Sequence, residues 1–227
     1  MPGRRLRSDL VRLLDSNATL LGLLLANFFV LELVDNQRIG AFVSSLIAAA
    51  ALAAAIYDSG TGRKLTRRQA AAIVAAVLVS ALVLLTDSSD LIGSAYLLPA
   101  VLVAINLPIT LQRTLHHRVV TYETILGALC AYVLTGLVFA FVYIALSRFG
   151  IDFFAQPGPH QQSEYLYFSF VVLTTLGFGD LSPTAGLPQA LVAVEALFGQ
   201  VFLVTMVARL VTLWVRQAEP TGAPESR

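Results

Sequence analysis

The sequence predicts an all-α membrane protein, with six helices that cross the bilayer and a seventh, shorter one that enters without crossing. Three observations predict this. First, 57% of the 227 residues are hydrophobic and only 13% are charged, with a mean hydropathy of +0.76. A water-soluble domain carries about 25% charged residues, so this chain lacks the charge to cover a water-facing surface and its solvent is lipid. Second, six apolar segments match the roughly 20 residues of helix that a bilayer requires. Third, the apolar stretch 164–174 is too short to cross. Irregular backbone following it at membrane depth is tolerated only where it lines a cavity.

Residues 1–16 form a cytoplasmic N-terminal segment. Leu6, Leu10, Val11, Leu13 and Leu14 alternate there with Arg and Asp, which reads as a short amphipathic helix on the inner leaflet or as a frayed basic tail. The spans follow at 17–34, 39–57, 69–86, 91–112, 124–147 and 187–215. The first is longer than a signal-peptide core and no clear small-residue cleavage site follows it, so it reads as a retained span. Residues 17–112 make a four-helix transmembrane domain. Glu32, near the outer end of the first span, reads as an interface residue that snorkels rather than as a sensor countercharge. A cytoplasmic linker covers 113–123. It holds His116 and His117 beside Arg118, read as solvated residues or, in the alternative, as a pH sensor. Residues 148–163 contain Gly150, Pro157, Gly158 and Pro159 and form an outer loop. The tail, 216–227, with Pro220, Gly222 and Pro224, is predicted disordered.

Charge sets the orientation. With the N-terminus inside, thirteen of the fifteen Lys and Arg residues fall in inner segments, and only Arg38 and Arg148 fall outside. Both termini are then cytoplasmic. All basic residues but Lys64 are Arg, and Ala is abundant, which points to a GC-rich bacterial genome and so to the cell (inner) membrane. The net charge of +1 gives no footprint for nucleic acid. The single cysteine, Cys130, sits in an apolar run and reads as a buried, inert thiol. No paired-carboxylate, metal-ligand or nucleophile constellation is present, so the chain is not read as an enzyme, and no organic cofactor is implied.

The most specific feature is Thr175-Leu176-Gly177-Phe178-Gly179-Asp180, placed between the short apolar stretch and the last span. It resembles the selectivity filter of the potassium channel superfamily, in which the backbone carbonyls of Thr-Val-Gly-Tyr-Gly replace an ion's hydration shell. Leu stands here for Val, and Phe for Tyr. The resemblance covers about 124–215 and implies a pore domain: outer helix 124–147, pore helix 164–174, filter 175–180, inner helix 187–215. It implies K⁺ held at Thr175, Leu176, Gly177 and Phe178, with Gly179 completing the strand and Asp180 drawing cations to the outer mouth. Gly177 and Gly179 permit backbone angles closed to other residues. One filter strand per chain implies a fourfold ring with three identical subunits. Membrane lipids are the other partners, including anionic lipid at the inner Arg clusters.

The resemblance also places Gly199 where the inner helix bends in the family; the alternative is that Gly199 only allows close packing. Gln200, Leu203 and Val207 fall on one helical face and would line a cavity, with Ala208 near the inner constriction. Around the filter the chain departs from the family. Phe178 has no hydroxyl, Phe168 offers only packing, and Val171 stands where some relatives carry a carboxylate. Tyr167 remains a donor toward Asp180. Glu195 points away from the pore and reads either as a brace behind the filter, to Thr174 or Ser169, or as an acid satisfied by a local hydroxyl.

The implied function is a potassium-selective channel. The alternatives are a weakly selective monovalent cation channel, and a transport subunit or receptor that uses the half-helix structurally. The fourth span, 91–112, contains no Arg, whereas voltage sensors carry several there. A shallow conductance–voltage relation without sizeable gating current is therefore expected. Patch recording checks it, and a steep relation arising outside the filter would contradict it.

Overall fold

The computed structural model describes residues 16–34, 36–57, 67–85, 88–116 and 121–218. They form seven helices: α1 Ser16–Leu33, α2 Gln37–Tyr57, α3 Arg67–Val83, α4 Ser89–His116, α5 Tyr122–Arg148, α6 Gln162–Leu173 and α7 Leu187–Ala218. Among the described residues the only sheet-like pairing is a single antiparallel bridge between Phe154 and Pro183. Four of the helices contain stretches long and apolar enough to cross a membrane: Gln37–Ala55, Ser89–Gln112, Tyr122–Arg148 and Leu187–Val215. Asn17–Leu33 and Gln69–Val83 are apolar but shorter. The chain is an α-helical, multi-pass membrane protein.

The boundaries differ from the sequence reading in a few places. The fourth helix continues through His116 and α5 begins at Tyr122, so most of the expected linker 113–123 is helical. The reason at α5 is a reciprocal cap: the Thr121 hydroxyl accepts from the Thr124 N–H while Thr124 Oγ1 accepts from the Thr121 N–H, satisfying donors that a helix start leaves bare. The last helix runs three residues into the expected tail. Pro99 and Pro108 lie inside α4 without ending it. The N-terminal segment up to residue 15, the inner loop 58–66 with Arg63 and Lys64, His117 and Arg118, and the tail from 219 lie outside the described residues.

Packing is organised around α5. Two thirds of its spanning stretch is buried, including Leu134, Leu137, Phe141, Tyr143 and Ile144. The fourth helix lies along it, α1 packs on both α5 and α6, and α7 meets α5 and α6. The front helices thus rest on the later ones mainly through α4 and α1. An aromatic group of Tyr143, Phe153, Phe154, Tyr165 and Phe168 fills the space under the outer loop.

One polar junction joins the two halves. At the start of α6, Gln162 is buried. Its amide nitrogen donates to the Val34 carbonyl at the end of α1, and its amide oxygen meets the Tyr96 hydroxyl of α4. That hydroxyl also lies 2.9 Å from the Gln37 carbonyl. A buried amide that loses such partners forfeits its full desolvation cost. Gln162→Leu is expected to destabilise the protein by about 1–3 kcal/mol, read as a lower midpoint in thermal unfolding of the purified protein.

Candidate functional site

The short helix α6 starts at the outer loop, where the Glu164 carboxylate accepts the Gln161 N–H at 3.0 Å. It ends at Leu173, and the chain then leaves the helix on hydrogen bonds that tighten the turn. The Thr175 N–H donates to the Val172 carbonyl at 2.9 Å and the Leu176 N–H to the Val171 carbonyl at 3.0 Å. From there the backbone alternates in hand. Thr175 (φ +59°), Gly177 (φ +57°) and Gly179 (φ +80°) are left-handed, and Leu176 and Phe178 between them are not.

Alternation of left- and right-handed residues turns successive peptide planes the same way, so N–H groups gather on one side of the strand and carbonyls on the other. Glycine accepts a positive φ freely. Thr175 does not: a β-branched residue there is strained, at a cost of about 1–3 kcal/mol. The surrounding turn holds it in place. Residues 174–180 are all exposed on the single chain. Among the described residues, no backbone–backbone hydrogen bond involves residues 177–180. The result is a row of carbonyls with nothing to bind. The C-terminal, partially negative end of the α6 dipole lies at the inner end of that row.

Four supports stand behind the strand. At the outer end, the Tyr167 hydroxyl donates to Asp180 Oδ2 at 2.8 Å, and the Tyr167 and Phe178 rings lie parallel with centroids 6.4 Å apart. The exit strand is fastened to the outer loop. The Ala155 N–H donates to the Ser182 carbonyl at 2.8 Å, the Thr184 N–H to the Phe153 carbonyl at 2.9 Å, and the Gln156 amide pairs with both the N–H and the hydroxyl of Ser182.

Behind the middle of α6, Glu195 is fully buried. Tyr143 donates to its Oε2 at 2.6 Å, and Ser169 meets its Oε1. Ser169 also lies 2.8 Å from the Gly136 carbonyl of α5. At the inner end, the Leu173 carbonyl accepts from the Tyr132 hydroxyl at 3.0 Å. Gly199 of α7 presses on that same carbonyl: a Cβ there would stand 2.3 Å from it.

The residues singled out in the sequence therefore divide into groups. Thr175, Leu176, Gly177, Phe178 and Gly179 form the open strand, and Tyr167 and Asp180 meet as expected. Glu195 does act on α6, through Ser169; the Thr174 hydroxyl instead bonds back to the Phe170 carbonyl. Phe168 lies away from the strand, among Tyr143, Phe153 and Phe154. Val171 supplies its carbonyl to Leu176 and borders an open groove beside Phe178, shared with Phe28, Glu32 and Tyr167. Gln200, Leu203, Val207 and Ala208 are exposed on the single chain, while Glu195, Gly199 and Met206 form the packed stripe of α7. Sequence reasoning missed Tyr132, Tyr143, Gln156 and Ser182. Tyrosines inside an apolar helix were the available signal, since a buried hydroxyl needs a partner.

Comparison with known families supports the same assignment. Residues 127–216 match the family model described as ion channel, the stretch that holds α6, the open strand and most of α5 and α7. No curated protein matches the chain.

The Gly199 contact distinguishes packing from bending. If close approach is its role, Gly199→Ala overpacks the α6–α7 junction and lowers stability by about 1–3 kcal/mol, seen as a reduced thermal midpoint. A hinge role would alter gating and leave that midpoint unchanged.

Proposed function

We propose, from the match of residues 127–216 to the family model described as ion channel, that this chain is a potassium-selective channel built from four copies of itself. The observation that carries the reading is the alternating hand of Thr175 to Gly179. Backbone so arranged offers a ladder of carbonyl oxygens in place of a hydration shell, the device that selects potassium. The Thr175 hydroxyl adds an oxygen at the inner end, and Asp180 concentrates cations at the outer mouth.

Assembly follows from the same strand. Lipid can cover the apolar side chains of α7, of whose spanning stretch only 17% is buried against 67% for α5. Lipid cannot satisfy bare peptide groups. Four strands arranged around one axis, with ions between them, remove that cost. Six spans with both termini inside complete the reading, with α1 and α3 as the shorter crossings. A helix of 18 residues, such as α1, is about 27 Å long, close to the hydrocarbon thickness of about 30 Å.

One observation favours a second reading, a weakly selective cation channel. Phe178 has no hydroxyl to anchor the strand, and its ring faces an open groove. Flux from liposomes separates the two. Purified protein is expected to pass K⁺ and Rb⁺ well and Na⁺ poorly, and equal K⁺ and Na⁺ permeability would leave only the weaker reading. Gly177→Ala is expected to abolish selective flux, because a Cβ opposes the left-handed backbone. Native mass measurement is expected to give four times 24.4 kDa; a conducting monomer or dimer would refute the ring.

A further inference from the structure

Three oxygen–oxygen contacts run in a chain behind α6. Tyr143 Oη meets Glu195 Oε2 at 2.6 Å, Glu195 Oε1 meets Ser169 Oγ, and Ser169 Oγ meets the Gly136 carbonyl oxygen at 2.8 Å. Each contact at such a distance needs one proton between its oxygens. The Tyr143 hydroxyl supplies one and the Ser169 hydroxyl another. The Gly136 carbonyl has none to give, so the Ser169 proton belongs to it if that contact is attractive. The contact between Ser169 and Glu195 is then left without a proton unless the carboxyl brings its own.

We infer that Glu195 is held as a neutral carboxylic acid and that its proton clasps α5, α6 and α7 together behind the conducting strand. Tyr143 donates to the acid, the acid donates to Ser169, and Ser169 donates to the Gly136 carbonyl. Every contact then has one proton. Ionised, the acid would leave one pair of oxygens facing each other bare.

The surroundings agree with a neutral group. Glu195 is fully buried, at a depth where an unpaired charge is costly. The groups facing it are Tyr132 and Tyr143 from α5, within its electrostatic reach, and Ser169 from α6. No basic side chain pairs with it among the described residues.

The clasp is a positioning device. Glu195 touches no ion, but it fixes Ser169, and through α6 the Val171 and Val172 carbonyls on which the strand is hung. Alkaline conditions that remove the proton would free α6 from α5 and α7. This inference rests on the reading of 175–179 as a conducting strand, and its test separates the two.

The experiment combines infrared spectroscopy with K⁺ flux on the full-length protein in liposomes. Wild type is expected to show a protonated-carboxyl C=O band that Glu195→Gln removes; absence of that band near neutral pH overturns the inference. Glu195→Gln can accept from Tyr143 through its oxygen and donate to Ser169 through its nitrogen. It is expected to keep K⁺ flux within about twofold of wild type, whereas Glu195→Leu and Ser169→Ala lose about tenfold, the equivalent of about 1.4 kcal/mol. Wild-type flux is expected to fall as rising pH bleaches the band, and Glu195→Gln flux to stay level. A Gln variant as impaired as the Leu variant would overturn the inference, as would wild-type flux that persists after the band is gone. If wild type passes no K⁺ at any pH, the channel reading fails, and the band alone decides the proton.

Discussion

Peptide groups need hydrogen-bond partners, and among the described residues no backbone–backbone bond involves 177–180. Much else in the pore half can be understood as holding that unsatisfied strand in place. The short helix α6 turns its own last carbonyls to the strand's first N–H groups. Thr175 keeps an unfavourable left-handed backbone because two such bonds fix the turn on either side of it. At the far end the exit strand does not wander back to α7. It is pinned to the outer loop by backbone bonds and by the Gln156 amide.

The four front helices contribute to this anchoring in a way unrelated to charge movement. They carry no Arg in residues 91–112, yet α4 and α1 pack directly on α5, and α1 reaches α6. The Gln162 amide fastens the start of α6 to the end of α1 and to Tyr96. The front half therefore acts as a collar. It buries the side of α5 that would otherwise face lipid and fixes where α6 begins. With only 117–120 between the end of α4 and Thr121, little chain is available for the front half to sit elsewhere.

The helices, their order and the position of the strand were legible in the sequence, because each rests on local information. Apolar runs mark helices, and the resemblance of Thr175-Leu176-Gly177-Phe178-Gly179-Asp180 to a known motif marked the strand. Two kinds of feature were not legible. One is capping: α5 begins at Tyr122 because Thr121 and Thr124 bond to each other, a device that a linker rich in polar residues conceals. The other is long-range pairing. That Glu195 needed a partner was clear from its place in an apolar helix, and Ser169 was a named possibility. That Tyr143 completes the set depends on how α5 turns against α7, which no local pattern specifies. Gly199 was similar: the resemblance implied a bend or close packing there, and only the approach of the Leu173 carbonyl exposes how tightly it packs.

The last helix shows how one element serves two surroundings. Its packed stripe, Glu195, Gly199, Phe202 and Met206, recurs every three or four residues, the spacing of one helical face. That stripe is chemically mixed, with an acid bound to Tyr143 and Ser169, a glycine on the Leu173 carbonyl, an aromatic ring on Tyr132 and a buried methionine. The remaining faces are largely apolar, with Gln189, Gln200 and Thr205 as the polar exceptions before Arg209. A face meant for lipid or for copies of the same helix needs bulk and little else, whereas a face that must position a strand needs specific partners. Substitutions on the two sides therefore differ in kind. On the packed stripe they disturb the hydrogen-bonded frame of α6 within one chain. On the open faces they change only what surrounds the chain.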